Sequence, residues 1–194
     1  MQLRGCGSSF VANVGEATSR GFDVDAEIRP MQGLLFQLAV GYNKSTYDET
    51  LLSSPNAAGV RAVIVNKGNS VGTAGISPWQ VAAAVQYDAP VNSDIDGYAR
   101  VDYQYSARET NPIALRDPVT SSYSPSAIPL PTQNYVTMRA GVRTGDIDVS
   151  LFINNLLDEA PAIARLNYGY TNNLIHQTRT LRPRTVGLTL SYRR

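Results

Sequence analysis

Hydrophobicity along this chain repeats with a period of two, and almost nowhere with the period near 3.6 that a helix needs. That alternation confines the chain to strands with one apolar face and one polar face. From Phe22, residues Phe22, Val24, Ala26 and Ile28 fall on one face, and Asp23, Asp25, Glu27 and Arg29 on the other. Pro30-Met31-Gln32-Gly33 interrupts the run. Leu34, Phe36, Leu38, Val40 and Tyr42 then share a face, with Gln37, Ala39, Gly41 and Asn43 opposite. Pairing Ile28 with Leu34 sets Ala26 against Phe36 and Val24 against Leu38, so apolar faces match across a tight hairpin.

The pattern returns along the rest of the chain. Trp79, Val81, Ala83, Val85 and Tyr87 alternate with Gln80, Ala82, Ala84, Gln86 and Asp88. Ala99, Val101, Tyr103 and Tyr105 alternate with Arg100, Asp102 and Gln104. Val136, Met138, Ala140 and Val142 lead to a turn at Thr144-Gly145, and Ile147, Val149, Leu151 and Ile153 carry the same face back. Pairing Val142 with Ile147 places Arg143 beside Asp146 and Arg139 beside Ser150. Val186, Leu188, Leu190 and Tyr192 close the chain in the same rhythm.

The expectation is therefore an all-β chain of about seven antiparallel strands, each of roughly 9–12 residues. Short turns alternate with three long connections: residues 48–77 (with an apolar island at Val60–Val65 that suggests a short strand), about 107–133, and about 156–183. Connections that long are uncommon in compact soluble domains. Outer-membrane barrels, by contrast, have short turns on one side and long loops on the other.

Composition favours the membrane. Charged residues make up 17% of the chain, below the ~25% of an ordinary soluble domain. A surface facing lipid cannot display Lys and Glu. Asp23, Asp25, Glu27, Arg100, Asp102 and Arg139 all sit on polar faces, as a water-filled lumen requires, and the apolar faces of the seven strands carry no charge. The edge of a soluble sandwich usually shows at least one inward charge as protection against pairing. Trp79 to Tyr87 is aromatic at both ends and aliphatic between, and at a tilt near 45° it rises roughly 19 Å, close to the apolar band of a membrane barrel. A net charge of +1 makes no electrostatic case for nucleic acid. One cysteine, Cys6, and one histidine, His176, exclude an internal disulfide and the usual zinc spacings. No apolar run approaches a membrane helix and no signal peptide is present, so an exported protein of this kind is expected to have its true N-terminus further upstream.

Four stretches carry a family resemblance. Asn13-Val14-Gly15-Glu16-Ala17-Thr18-Ser19-Arg20-Gly21-Phe22-Asp23 resembles the N-x-G-x-A-x-S-x-G-x-E approach to a strand in TonB-dependent receptors, with Asp23 in the acidic place. Pro30-Met31-Gln32-Gly33-Leu34 with Gly41-Tyr42 is similar to the hairpin that follows it there. Asn154-Asn155-Leu156-Leu157-Asp158-Glu159-Ala160-Pro161 and Arg182-Pro183-Arg184-Thr185-Val186-Gly187-Leu188 resemble the family's NLFD segment and the start of its last strand. The resemblance implies that residues 1–194 are the C-terminal part, the closing arc, of a barrel of about 22 strands. It also implies an outer-membrane location with lipid around the barrel, and a plug domain, absent here, through which the TonB complex supplies energy. The implied function is uptake of a nutrient such as a ferric siderophore. The family ends on an aromatic residue, whereas here Tyr192-Arg193-Arg194 puts Arg in that place.

Catalytic patterns are missing: there is no G-x-S-x-G, P-loop or H-E-x-x-H, and no catalytic, metal-binding or cofactor-binding residue is expected. Gly68–Gly75 reads as a flexible outer loop, and Asp23, Asp25 and Glu27 as lumen polarity rather than paired catalytic acids. Recognition belongs to the loops, where the candidates to meet a ligand are Arg116 and Tyr123 in one, and Arg165, Tyr168, Tyr170, His176 and Arg179 in another. Two alternatives stand beside the receptor fragment: a small stand-alone barrel closed with the help of residues 1–16, and a soluble β-sandwich binding module.

Overall fold

Val, Ile, Leu, Thr and Tyr fill the alternating stretches, and β-branched or aromatic side chains pack best standing off a pleated, extended backbone. The computed structural model, which describes residues 15–71, 77–110, 112–168 and 175–193, is extended at each of them. In chain order the strands are β1 (Ala17–Met31), β2 (Leu34–Tyr47), β3 (Leu51–Leu52), β4 (Val63–Val65), β5 (Trp79–Pro90), β6 (Asp96–Ser106), β7 (Gln133–Thr144), β8 (Ile147–Asn154), β9 (Ala162–Tyr168), β10 (Ile175–Thr180) and β11 (Thr185–Tyr192). The seven predicted strands make one sheet in the order β1-β2-β5-β6-β7-β8-β11. Cys6, Tyr170, Arg194 and all but the last two of the residues 1–16 that the stand-alone alternative enlists for closure lie outside the described residues.

The chain divides into two compact units. One comprises Gly21–Tyr42, Ser77–Arg108 and Leu130–Arg194 and holds most of the sheet. Its registers join like faces throughout. Phe36 pairs with Val85, Val40 with Val81 and Tyr42 with Trp79. Val85 then pairs with Val101, Val101 with Met138, Val142 with Val149, and Leu151 with Leu188. In the β1–β2 hairpin the Phe22 ring lies 5.8 Å from Tyr42, and Gln37 Nε2 donates to Glu27 Oε2 at 3.0 Å. These contacts join the matching faces of the two strands, as the expected hairpin requires.

The β7–β8 hairpin differs from its expected register by two residues. Thr144 pairs with Ile147, so the loop is the two residues Gly145-Asp146 rather than a turn centred on Thr144-Gly145. Gly145 has φ +51°, the left-handed conformation that a two-residue hairpin loop demands at its first position. Arg143 therefore faces Asp148 and Arg139 faces Phe152. The third long connection is no plain loop either, since β9 and β10 form an antiparallel hairpin within it, with Arg165 opposite Thr178 and His176 opposite Asn167.

No described element covers the apolar face of the sheet. Ile28 is 60% exposed, Leu151 61%, Leu188 66% and Leu190 70%. A soluble sandwich would bury these side chains against a second sheet, and none of the described residues forms one there. On the polar face, aromatic rings cover glycines. A Cβ on Gly187 would run into the Phe152 ring, and one on Gly141 would come 2.9 Å from Tyr98 Cζ.

The other unit comprises Met1–Arg20, Asn43–Ile76 and Glu109–Pro129. There β3 pairs with β4, as the apolar island at Val60–Val65 suggests. Its interior is polar: Asn69, Ser70, Glu109, Thr120 and Ser124 are buried. Asn69 Nδ2 and Asn66 Nδ2 donate to Asp117 Oδ2 at 2.8 and 3.2 Å, and the Val119 amide donates to Asp117 Oδ1 at 3.0 Å. Main-chain bonds tie the two long segments together, Ser70 N to Pro112 O at 2.8 Å and Ser121 N to Val63 O at 2.7 Å.

Two outcomes follow from these contacts. Gly187→Val, which drives a side chain into Phe152, is expected to cost about 1–3 kcal/mol in a denaturant titration, and adding Phe152→Ala should recover much of that loss. At Asp117 the Asn69 amide, then the Val119 N–H and Asn66, hold the carboxyl below its ordinary 3.8 against the opposing effect of burial. A depressed folded-state pKa stabilises above the unfolded value and ceases to do so as pH falls through the folded one. Hydrogen-exchange protection of residues 66–70 and 117–121 should therefore hold from pH 7 to 5, once corrected for intrinsic rates, and collapse only below about 3.8. Asp117→Asn, which turns an amide N–H₂ toward donors, should remove about 1–2 kcal/mol of that protection at neutral pH.

Candidate functional site

Alternation places most polar residues of the main sheet on one face, and antiparallel pairing then brings residues far apart in sequence side by side. Arg100 on β6 is the centre of this surface. Its Nη2 donates to Asp102 Oδ1 at 2.7 Å and to Gln37 Oε1 at 3.2 Å, and its Nη1 donates to Gln86 Oε1 at 3.2 Å. Gln37 passes the chain of bonds to Glu27 on β1. Gln86 Nε2 donates to Asp88 Oδ2 at 2.7 Å, and Arg143 reaches Asp88 at 3.5 Å and Asp148 at 3.3 Å. Tyr98 Oη donates to the same Asp148 at 2.9 Å and lies under the Arg143 guanidinium, 4.1 Å from its ring centre. One connected set of side chains thus crosses the sheet from β1 to β8. Each charge in it has an opposite neighbour, as half-exposed charges on a packed sheet require.

Arg100 and Arg139 stand directly opposite each other across β6 and β7, a pairing that would be repulsive if both pointed into the gap. They do not. Arg100 turns to Asp102, and Arg139 lies over the Phe152 ring at 5.8 Å.

Short connections (residues 32–33, 91–95 and 145–146) leave one end of this sheet, and the long ones leave the other. The bonded set occupies the half of the polar face nearer the short turns. The half nearer the long connections is hollow, a concavity of about 640 Å³ with Ala39, Gly41 and Ala82 along its floor. Asp23, Asp25, Gln80, Gln104 and Tyr135 line it. Gly41 matters here, because a Cβ at that position would come 2.9 Å from Asp23 Oδ1.

The loop residues singled out from sequence fall in different places. Arg116 sits in a 3₁₀ turn over Ala114–Arg116, and its guanidinium is buried in an ion pair with Glu109, at 10% and 5% side-chain exposure. Tyr123, in the same unit, is 44% exposed. Arg165 on β9 and Arg179 on β10 are exposed; Arg165 pairs with Thr178 and Arg179 with Ala164, so alternation sets the two arginines on opposite faces of the hairpin. The same hairpin places Tyr168 opposite Ile175 and His176 opposite Asn167, while Tyr170 lies outside the described residues. Sequence reading named Arg100, Asp102 and Arg139 as lumen polarity and set Gln37, Gln80, Gln86 and Gln104 on the same faces, but it did not join Arg100 to Gln37 and Gln86, Arg139 to Phe152, or Arg143 and Asp148 to Tyr98. The signal was the parity of these residues within their strands, which becomes contact only when the registers are known.

Comparison with known proteins agrees with this architecture. The family model for the β-barrel of TonB dependent receptor-like proteins matches residues 2–156, from ahead of β1 through β8. No curated protein and no solved structure matches. The matched span covers most of the chain and carries six of the sheet's seven strands, so this chain belongs to the TonB-dependent receptor β-barrel family, a family of outer-membrane receptors.

Proposed function

We propose that this chain is an arc of the wall of an outer-membrane receptor barrel, with its apolar face on lipid and its polar face on the lumen through which a nutrient is taken up. Of the family's nutrients, a ferric siderophore is the reference case. In this reading the TonB complex supplies energy through a plug domain, and residues 1–194 form the C-terminal part of the barrel. The supporting observation is the pair of faces: aliphatic side chains stay exposed across seven adjacent strands, while the opposite face is largely polar and carries a hydrogen-bonded set of side chains from β1 to β8. In water the aliphatic face would be a large unsatisfied apolar patch; in a bilayer it is the ordinary outside of a barrel. The exposed loop residues Tyr123, Arg165 and Arg179 remain candidates to meet the ligand at the mouth, together with Tyr168, Tyr170 and His176. Arg116, spent on Glu109, fits a structural role better.

Expressed alone behind an export signal, the chain should give no heat-modifiable species in the outer membrane, because seven strands fall short of the smallest closed bacterial barrel, about eight. A heat-modifiable, protease-resistant band of the 194-residue chain would overturn the arc in favour of a stand-alone barrel. Within an assembled receptor, Leu188→Arg near mid-depth on the lipid face should cost about 2–4 kcal/mol and lower both receptor yield and ligand uptake. Unchanged yield would mean that this face does not meet lipid.

A further inference from the structure

Two of the stretches that carry the family resemblance, residues 154–161 and 182–188, flank the β9–β10 hairpin, and the structure bonds them to each other. Asn155 is at the centre. It is 1% exposed, and its Nδ2 donates at 2.8 Å to two carbonyls, Glu159 O ahead of β9 and Arg182 O after β10. An amide NH₂ has two hydrogens, so both are in use, one on each foot of the hairpin. The Asn155 Oδ1 accepts from the Glu159 amide at 3.2 Å, and Asp158 Oδ1 accepts from the Arg184 amide at 3.0 Å. This turn is rooted in the main sheet. The Leu156 amide donates to Val136 O on β7, and the Asp158 amide closes onto Asn155 O, both at 2.9 Å.

Backbone and side chain make the same demand at Asn155. Its φ is +53°, and that of Asp158 is +56°, in the left-handed region that Asn and Asp enter more readily than other residues with side chains. Gly would accept the angle but brings no donor, and Asp would turn an acceptor toward two carbonyl oxygens. Asn meets both requirements. The other ties at the feet are longer: Gln133 Nε2 reaches Ala162 O at 3.4 Å, and Asn134 Nδ2 reaches the Glu159 carboxylate at 3.3 and 3.4 Å. Bonds of that length are weaker than those at 2.8 Å. Among the described strands β9 and β10 pair only with each other, and a two-stranded hairpin left to itself is marginal.

We infer that Asn155 is the anchor of the β9–β10 hairpin: one buried amide clasps both feet to the sheet, so that the hairpin stands as a stiff arm and opens as one unit when the clasp is released. The device goes beyond the receptor reading and does not depend on what either face of the sheet meets. Where that reading holds, Asn155 is a positioning residue for Arg165 and Arg179, the exposed arginines that the arm carries.

Amide hydrogen exchange of the full chain in detergent micelles tests the clasp. In the unaltered chain the amides of residues 163–168 and 175–180 should be protected and, in dilute denaturant, converge on one opening step that precedes the opening of 147–153 and 185–192. Asn155→Gly keeps the backbone angle and Asn155→Asp keeps the shape. Each should speed exchange in the hairpin about tenfold or more, as the loss of buried hydrogen bonds predicts, and leave the β8–β11 ladder within about twofold. Equal loss in hairpin and ladder, loss in neither, or hairpin amides that open independently of one another in the unaltered chain would overturn the inference. The last of these outcomes needs no variant to fold. Exchange requires neither a closed barrel nor a ligand, so failure here is distinct from failure of the receptor reading.

Discussion

Everything else in this protein depends on the antiparallel main-chain ladder keeping parity from strand to strand. Because side chains alternate, a slip of one residue between β5 and β6 would carry Arg100 and Asp102 to the apolar face and Val101 and Tyr103 to the polar one. Slips of two are tolerated by the pattern, since they preserve the faces. That is why the β7–β8 hairpin, whose register differs from the simplest expectation, differs by two residues and not by one. The backbone geometry of the turns makes the final choice, as Gly145 does between β7 and β8.

This separates what was legible in the sequence from what was not. The seven main strands, their two faces and the alternation of short and long connections follow from the spacing of residues such as Trp79, Val81 and Val85. Leu51 and Leu52, paired with Val63 and Val65, were half-visible as an apolar island. The β9–β10 hairpin was hidden, because Ala162–Tyr168 and Ile175–Thr180 mix small, polar and charged residues with no clean period. The connections through Arg100 were hidden for another reason. Gln37 and Arg100 are 63 residues apart, and nothing local marks them as neighbours.

The polar face shows how a sheet can hold arginines without opposing them. Arg139 gives up a carboxylate partner for the Phe152 ring, and that ring also lies over Gly187. Tyr98 does the same between Arg143 and Gly141. Each ring covers backbone that lacks a side chain and offers a π surface to a cation. In the loop unit the solution is different: Asn66, Asn69 and Asp117 build an interior from directional bonds, and Ile113 is the one buried apolar side chain among that unit's described residues.

The sheet has seven strands, each antiparallel to its neighbour, and β1 and β11 are its two open margins. Direction reverses at every step, so after six reversals β11 runs the same way as β1. The two margins therefore cannot zip to each other antiparallel. A second copy standing the same way up cannot join them either, because it would again offer a like-directed strand. A ring in which every seam is antiparallel can be completed only by an odd number of interposed strands. Among the described residues the two margins are thus mismatched in direction for an antiparallel seam, within one copy or between two copies standing the same way up.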